Sequence, residues 1–271
     1  MKTNVLDLPS DHILKLEEVF LRLPEPFDIV WTAFGRGTVG LLLSETGLGK
    51  SMWCLQAACA VASGIPSTDL LQIQPSEGLQ VAFFSLQNGV KAITNRLHNI
   101  GLQLTAKEQL MITHNLRVTC PTFLDILSPE TQHYIKDLAE DCGLIIFDSL
   151  SQLHNLDPYN AVDMHRVFSA LAQLAQETNA AILVTHYLLP NPTFQSTYRE
   201  QVLSRLAGSP VIADHCHYIG YLLEGADEIN YGVLKSNYHG MRTFVSLQQL
   251  TSGVFKEIPQ KELLSRTVGE P

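Results

Sequence analysis

The sequence predicts an α/β protein in which a mostly parallel sheet is covered by helices on both faces. Two observations carry this expectation. Apolar runs of strand length recur along the chain, and segments with helical spacing lie between them. The runs are apolar without alternation, as strands buried on both faces require.

The elements follow in order. Residues 12–23, HILKLEEVFLRL, carry apolar side chains at helical spacing and predict a short amphipathic helix ahead of the core. The stretch LPEPFDIV, with two prolines, is a connector. Residues 38–44, TVGLLLS, predict the first buried strand, and residues 51–63 a helix ending near Gly64. A second strand is expected at 79–86, LQVAFFSL, followed by a helix over 90–100 that stops at Gly101. Residues 143–150, GLIIFDSL, and 179–186, NAAILVTH, are two more strands, with an amphipathic helix at 161–178 between them. The later runs 216–223 and 231–236 are strands too. Residues 187–209 and the C-terminal stretch are less regular and are expected to be mobile. No internal repeat is visible. The expected organisation is an N-terminal helix and connector over 1–30, a core over 31–256 and a tail over 257–271.

Composition narrows the function classes. Of 271 residues, 45% are hydrophobic and 17% charged, which excludes a disordered chain. The net charge of −9 argues against coating nucleic acid with the whole surface, but leaves room for a local basic channel. No apolar run reaches the ~18–20 residues of a membrane span, and MKTNVLDLPSDH is not a secretory signal. The five cysteines are scattered and odd in number, which suits reduced thiols in a cytoplasm.

The sharpest motif is Ser44-Glu45-Thr46-Gly47-Leu48-Gly49-Lys50-Ser51. It departs from the phosphate-binding pattern G-x-x-x-x-G-K-[ST] only in Ser44, and it lies between an apolar strand and a helix. Gly47 and Gly49 allow the backbone to wrap its N–H groups around phosphate oxygens. The helix N-terminus, running through Met52, adds a positive dipole end. Lys50 supplies a cation for the β- and γ-phosphates, and Ser51 a hydroxyl for magnesium. An incidental glycine-rich turn is the competing explanation, and the strand–loop–helix context disfavours it. Asp148 ends the apolar strand LIIFD and is the acid such a site needs to hold magnesium; a helix-capping aspartate is the bland alternative. ATP and Mg2+ are therefore the expected ligands.

Weaker candidates sit at other strand ends. His186 ends AILVTH and falls at the same sheet edge as Asp148, where ligands of such sheets lie. Lys235, in GVLKSNYHG, ends a late strand and is a candidate phosphate contact. Asp214-His215-Cys216-His217 has the wrong spacing for a zinc site, because neighbouring strand residues point to opposite faces. Asp148, His154 and Asp157 lack a nucleophile motif to complete a triad.

With these residues in place, the chain resembles the RepA family of plasmid replicative helicases, hexameric RecA-like ATPases. The resemblance runs from about Leu16 to Lys256 and includes GTVGLLLSETGLGKSM, RLHNIG from Arg96, LIIFDSL, Thr185-His186, GSPVIAD from Gly208 and KSNYHG from Lys235. It implies a RecA-like P-loop NTPase core and a self-assembled ring of six subunits with ATP between neighbours. It also implies translocation on single-stranded DNA, with other replication proteins as further partners and no membrane. It assigns Thr46 to Met52 and Lys235 to the nucleotide, Ser51 and Asp148 to the metal, and His186 to sensing the γ-phosphate. Two positions depart from the family. Gln87 stands where the family has a catalytic glutamate, and an amide orients water without acting as a carboxylate base. Asn230 stands where the family has an arginine finger, with Arg205 or Arg242 as conceivable substitutes.

Three functions compete. The first is an ATP-driven helicase. The second is a catalytically weakened subunit that assembles on ATP and recruits or regulates partners, which Gln87, Asn230 and the acidic charge favour. The third is a recombination mediator that coats DNA, which the scarcity of basic residues in 187–209 (Arg199 and Arg205) disfavours.

Overall fold

The computed structural model describes residues 16–21, 23, 28–31, 34–65, 78–190, 199–225, 228–237 and 244–259. Within them lies a nine-stranded sheet. Its parallel part contains β3 (Val39–Ser44), β4 (Val81–Ser85), β5 (Leu116–Thr119), β6 (Leu144–Asp148), β7 (Ala181–Tyr187) and β8 (Tyr218–Glu224). Three antiparallel strands extend it past β8: β9 (Ile229–Ser236), β10 (Phe244–Gln249) and β11 (Phe255–Glu257). The order across the sheet is β11-β10-β9-β8-β3-β7-β6-β4-β5. A separate two-stranded ribbon joins β1 (Ile29–Trp31) and β2 (Phe34–Gly35).

The expected parallel core is present, and its apolar runs behave as anticipated. Strands β3, β4 and β6 are buried along their whole length. Alternate side chains feed two cores. One face packs Leu42, Phe83, Ile146 and Leu183 against α2 (Lys50–Ser63), α3 (Val90–Gly101) and α4 (Ala106–Asn115). The other packs Leu41, Phe84, Phe147 and Val184 against α5 (Pro129–Leu138), α6 (Ala161–Thr178) and α8 (Val211–Asp214). Helix α2 is buried from Met52 to Ser63, which explains why its sequence has no polar face. It ends at Gly64 with φ 64°, a left-handed cap that glycine adopts without steric cost.

Several elements differ from expectation. Of the helix predicted over 12–23, the described part is α1 (Leu16–Leu21), and residues 12–15 and 22 lie outside the described set. Helices α4 and α5 and strands β5, β10 and β11 were not anticipated. Within the segment 187–209, Leu188 pairs with Leu206 in an antiparallel bridge and α7 spans Arg199–Leu203; residues 191–198 lie outside the described set. The core also runs past residue 256, since Ile258 N–H donates to the Ser246 carbonyl at 2.8 Å. No helix among the described residues is long and apolar enough to cross a membrane.

One buried amide docks the antiparallel extension onto the core. Gln56, 1% exposed, donates to the Phe255 carbonyl at 3.0 Å and accepts from the Phe255 N–H at 2.8 Å. Gln56→Leu leaves both backbone groups of β11 unpartnered at this contact. We expect it to cost about 2–4 kcal/mol. A urea unfolding midpoint equal to that of the wild type contradicts this.

Candidate functional site

The loop after β3 turns directly into α2, and its glycines explain how. Gly47 has φ 93° and Gly49 φ 82°, both in the left-handed region. A Cβ on Gly49 would also meet Phe255 Cζ at 2.7 Å and Gln249 Nε2 at 2.9 Å. Gly49 caps α2, so the free N–H groups of that helix open onto the loop. Lys50 folds back across it, donating to the Ser44 carbonyl at 3.1 Å and to the Ser44 hydroxyl at 2.9 Å. Burial pushes the Lys50 ammonium below its ordinary pKa, and the Asp148 carboxylate partly offsets this.

Asp148 ends β6, level with Ser85 of β4. Its Oδ1 accepts from Thr185 Oγ1 at 2.7 Å. Its Oδ2 is buried and finds no hydrogen-bond partner among the described residues. A buried carboxylate oxygen left bare is the kind of acceptor that a hydrated divalent cation fits. Ser51 offers a hydroxyl on the cleft wall, where it accepts a long hydrogen bond from Asn88 Nδ2 at 3.4 Å.

His186 lies one residue before the end of β7, opposite Leu43 and next to the loop. It is 2% exposed, and its Nε2–H donates to the Ala207 carbonyl. That leaves Nδ1 as a bare acceptor with no partner among the described residues. Burial holds the ring neutral, with its pKa lowered to about 4. Gln87 follows β4 at the same edge, is exposed, and donates through Nε2 to Ser151 Oγ at 3.3 Å.

Most of these residues line one cleft of about 720 Å³; Asp148 is not on its wall, where the next residue, Ser149, is. Thr46, Gly47, Gly49, Lys50, Ser51, Met52, Gln87 and His186 are on its wall, and Leu48 is not. Lys235 is not brought there by its own chain. It pairs with Ile219, toward the start of β8, and its ammonium donates to the Ala213 and Asp214 carbonyls, both at 3.2 Å. Asn230 is 8% exposed and accepts from Ser246 Oγ at 3.0 Å, so it offers no cation. The idea that Arg205 serves as a substitute finger is overturned: it is 6% exposed and ion-paired with Glu45 of its own loop. Arg242 lies outside the described residues. In the Asp214–His217 segment, His215 faces His165 at 2.9 Å, while Cys216 is buried and donates to the Ile212 carbonyl.

Sequence reasoning missed the second half of the cleft. Asn95, Arg96 and Asn99 line it from α3, and Gln249, Thr251, Ser252 and Gly253 from the β10–β11 turn. Asn99 Nδ2 ties the two together through the Ser252 carbonyl at 2.9 Å. Arg96 carries a buried Nη1 that has no partner among the described residues. The signals were available: residues 95, 96 and 99 share a helical face, and Ser252-Gly253 is a turn dipeptide.

With the cleft described, the chain can be compared with known proteins. Residues 9–188 match a family described as "AAA domain", a span of more than half the chain. The chain belongs to this family. Membership implies nucleotide binding by this AAA domain protein, in keeping with a glycine loop, lysine and buried acid at one sheet edge. Solved structures share its fold at low identity. A DnaB-like replicative helicase has a TM-score of 0.65 and 14% identity, covering 93% of this chain and 69% of its own. The ATPase domain of G40P has 0.59 and 15%, covering 90% and 96%. The RadB recombinase has 0.57 and 11%, covering 83% and 93%. The fold is thus the RecA-like P-loop ATPase fold.

The neutral burial of His186 has a pH consequence. Its folded pKa of about 4 lies below the ordinary 6.5, so on acidification the unfolded chain takes up the proton first. The stability of the neutral ring is complete above about pH 6.5 and is lost as pH falls toward 4. His186→Gln does not titrate. Its unfolding free energy should therefore fall less steeply than that of the wild type over this window, measured by urea denaturation. Parallel slopes contradict the assignment.

Proposed function

We propose that the cleft binds ATP with magnesium and that the protein is a nucleotide-dependent, ring-forming RecA-like ATPase of the RepA helicase type. The observation that carries this reading is the bare, buried Oδ2 of Asp148, whose carboxylate is close enough to favour the charged form of Lys50 in the loop. Ser51 and Asp148 would hold the metal, which when bound neutralises the β- and γ-oxygens. Lys50 releases Ser44 and pairs with phosphate. The amides at the start of α2 bind the phosphate oxygens. Arg96 and the 249–253 turn enclose the opposite wall, where the nucleoside would lie.

Self-association in a ring of six copies, as in RepA-type rings, is part of the proposal, with single-stranded DNA as the substrate track. Head-to-tail contacts close into rings when the rotation closes. Lys235 then serves a neighbour's nucleotide and not its own. Mass measurement with a non-hydrolysable ATP analogue tests this: a nucleotide-dependent oligomer is expected, and a strict monomer at high concentration contradicts it.

A second reading, a weakened subunit that assembles on ATP and recruits replication partners, is favoured by two positions. Gln87 lines the cleft where a carboxylate base is expected, and Asn230 is buried in the strand where a finger is expected. The two readings separate in steady-state hydrolysis. Lys50→Ala should abolish tight ATP binding, since phosphate charge then faces dipoles alone. Wild-type turnover should be slow, well below ~10 s⁻¹. Gln87→Glu should raise it, by up to the roughly 10²–10⁴-fold of general-base catalysis. Fast wild-type turnover that Gln87→Glu leaves unchanged rules out the assignment of Gln87 as the vacant base.

A further inference from the structure

The phosphate loop carries a residue that phosphate binding does not need. Glu45 places a carboxylate directly after Ser44, where incoming phosphates bring more negative charge. The structure pairs it. The Arg205 guanidinium donates through Nη2 to Glu45 Oε1, with the two side chains 6% and 27% exposed. Arg205 also donates through Nε to the Leu189 carbonyl at 3.0 Å.

The backbone reinforces this tie at every step. Leu188 N–H donates to the Ser44 carbonyl at 2.8 Å, and Leu189 N–H to the Arg205 carbonyl at 2.7 Å. Ala207 N–H donates to the Tyr187 carbonyl at 3.3 Å, while His186 donates to the Ala207 carbonyl. The Ser44 carbonyl that receives Leu188 also receives Lys50. The first two residues of the phosphate loop are therefore the residues that hold the chain as it leaves β7 and as it returns through 199–207.

We infer that Arg205 is a positioning residue which, through Glu45, couples occupancy of the phosphate loop to the geometry of the return segment 199–207. The inference rests on the nucleotide reading above. Two physical effects support it. Arg205 cancels the Glu45 charge, so phosphate oxygens do not meet an uncompensated carboxylate. The pair also resists separation, because Arg205 is buried and breaking the pair strands its charge. A shift of the loop, as Lys50 leaves Ser44 for phosphate, is therefore passed to residue 205.

The test uses the full chain in two arms. The first omits nucleotide and follows hydrogen exchange at the amides of Leu188, Leu189 and Ala207. Glu45→Gln and Arg205→Met should each speed exchange there by about tenfold or more, while the amides of β6 stay as protected as in the wild type. Unchanged exchange overturns the tie, and this arm stands even for a chain that binds no nucleotide. The second arm measures affinity for a fluorescent non-hydrolysable ATP analogue. Arg205→Met should weaken binding about tenfold, Glu45→Gln should bind within about threefold of wild type, and the double variant should recover to the Glu45→Gln value. The analogue should protect amides in 199–207 of the wild type, but not of the double variant. Equal weakening in Arg205→Met and the double variant, or protection retained in the double variant, overturns the coupling. Glu45→Gln keeps the test open if Arg205→Met does not fold. No saturable binding by the wild type counts against the nucleotide reading itself.

Discussion

The cleft depends on one electrostatic arrangement: the Asp148 carboxylate, sealed at the end of a buried strand, beside the Lys50 ammonium at the start of a buried helix. Neither charge is at ease alone. Lys50 is pushed toward neutrality by burial and relies on Asp148 and on two Ser44 oxygens. Asp148 spends one oxygen on Thr185 and leaves the other bare. A parallel sheet makes this possible. It delivers the carboxyl ends of β3, β6 and β7 to one edge, so residues far apart in sequence arrive as neighbours.

The antiparallel extension completes the site from the other side. β11 is fixed to α2 by the paired amide of Gln56, and the turn before it reaches α3 through Asn99. The same α2 thus carries the loop lysine at its start and anchors the opposite wall midway. Chemistry within this frame is asymmetric. The groups we propose to hold metal and phosphate lie at one sheet edge, whereas Gln87 puts an amide where a base is expected and Asn230 spends its side chain on Ser246. Both functional readings we propose share this frame and differ in what Gln87 and Asn230 leave of hydrolysis.

The sheet was legible because its strands are buried on both faces, and runs such as Leu41-Leu42-Leu43 or Ile145-Ile146-Phe147 permit little else. The loop and the acid were legible because phosphate chemistry restricts residue type and spacing. What escaped had weaker local signals. Helix α4 has only two buried residues, Glu108 and Asn115, so it lacks an apolar stripe; its Thr105–Glu108 capping box was the readable clue. Strand β5 is a half-buried edge strand and does not read as a buried run. Arg205 escaped because its partner is set by tertiary structure alone: no local pattern places residue 205 against residue 45. Lys235 is a case that one chain does not decide: here it donates to the Ala213 and Asp214 carbonyls, and the contact proposed for it is to a neighbour's nucleotide.

The central claim is that this cleft binds Mg·ATP through Asp148. Calorimetric titration of ATP into the wild-type protein, with magnesium and with the metal chelated, tests it most directly. The account predicts saturable binding that weakens when magnesium is removed, with Asp148→Asn losing that magnesium dependence. Saturable binding that is indifferent to magnesium, or no binding at all by the wild type, would contradict it.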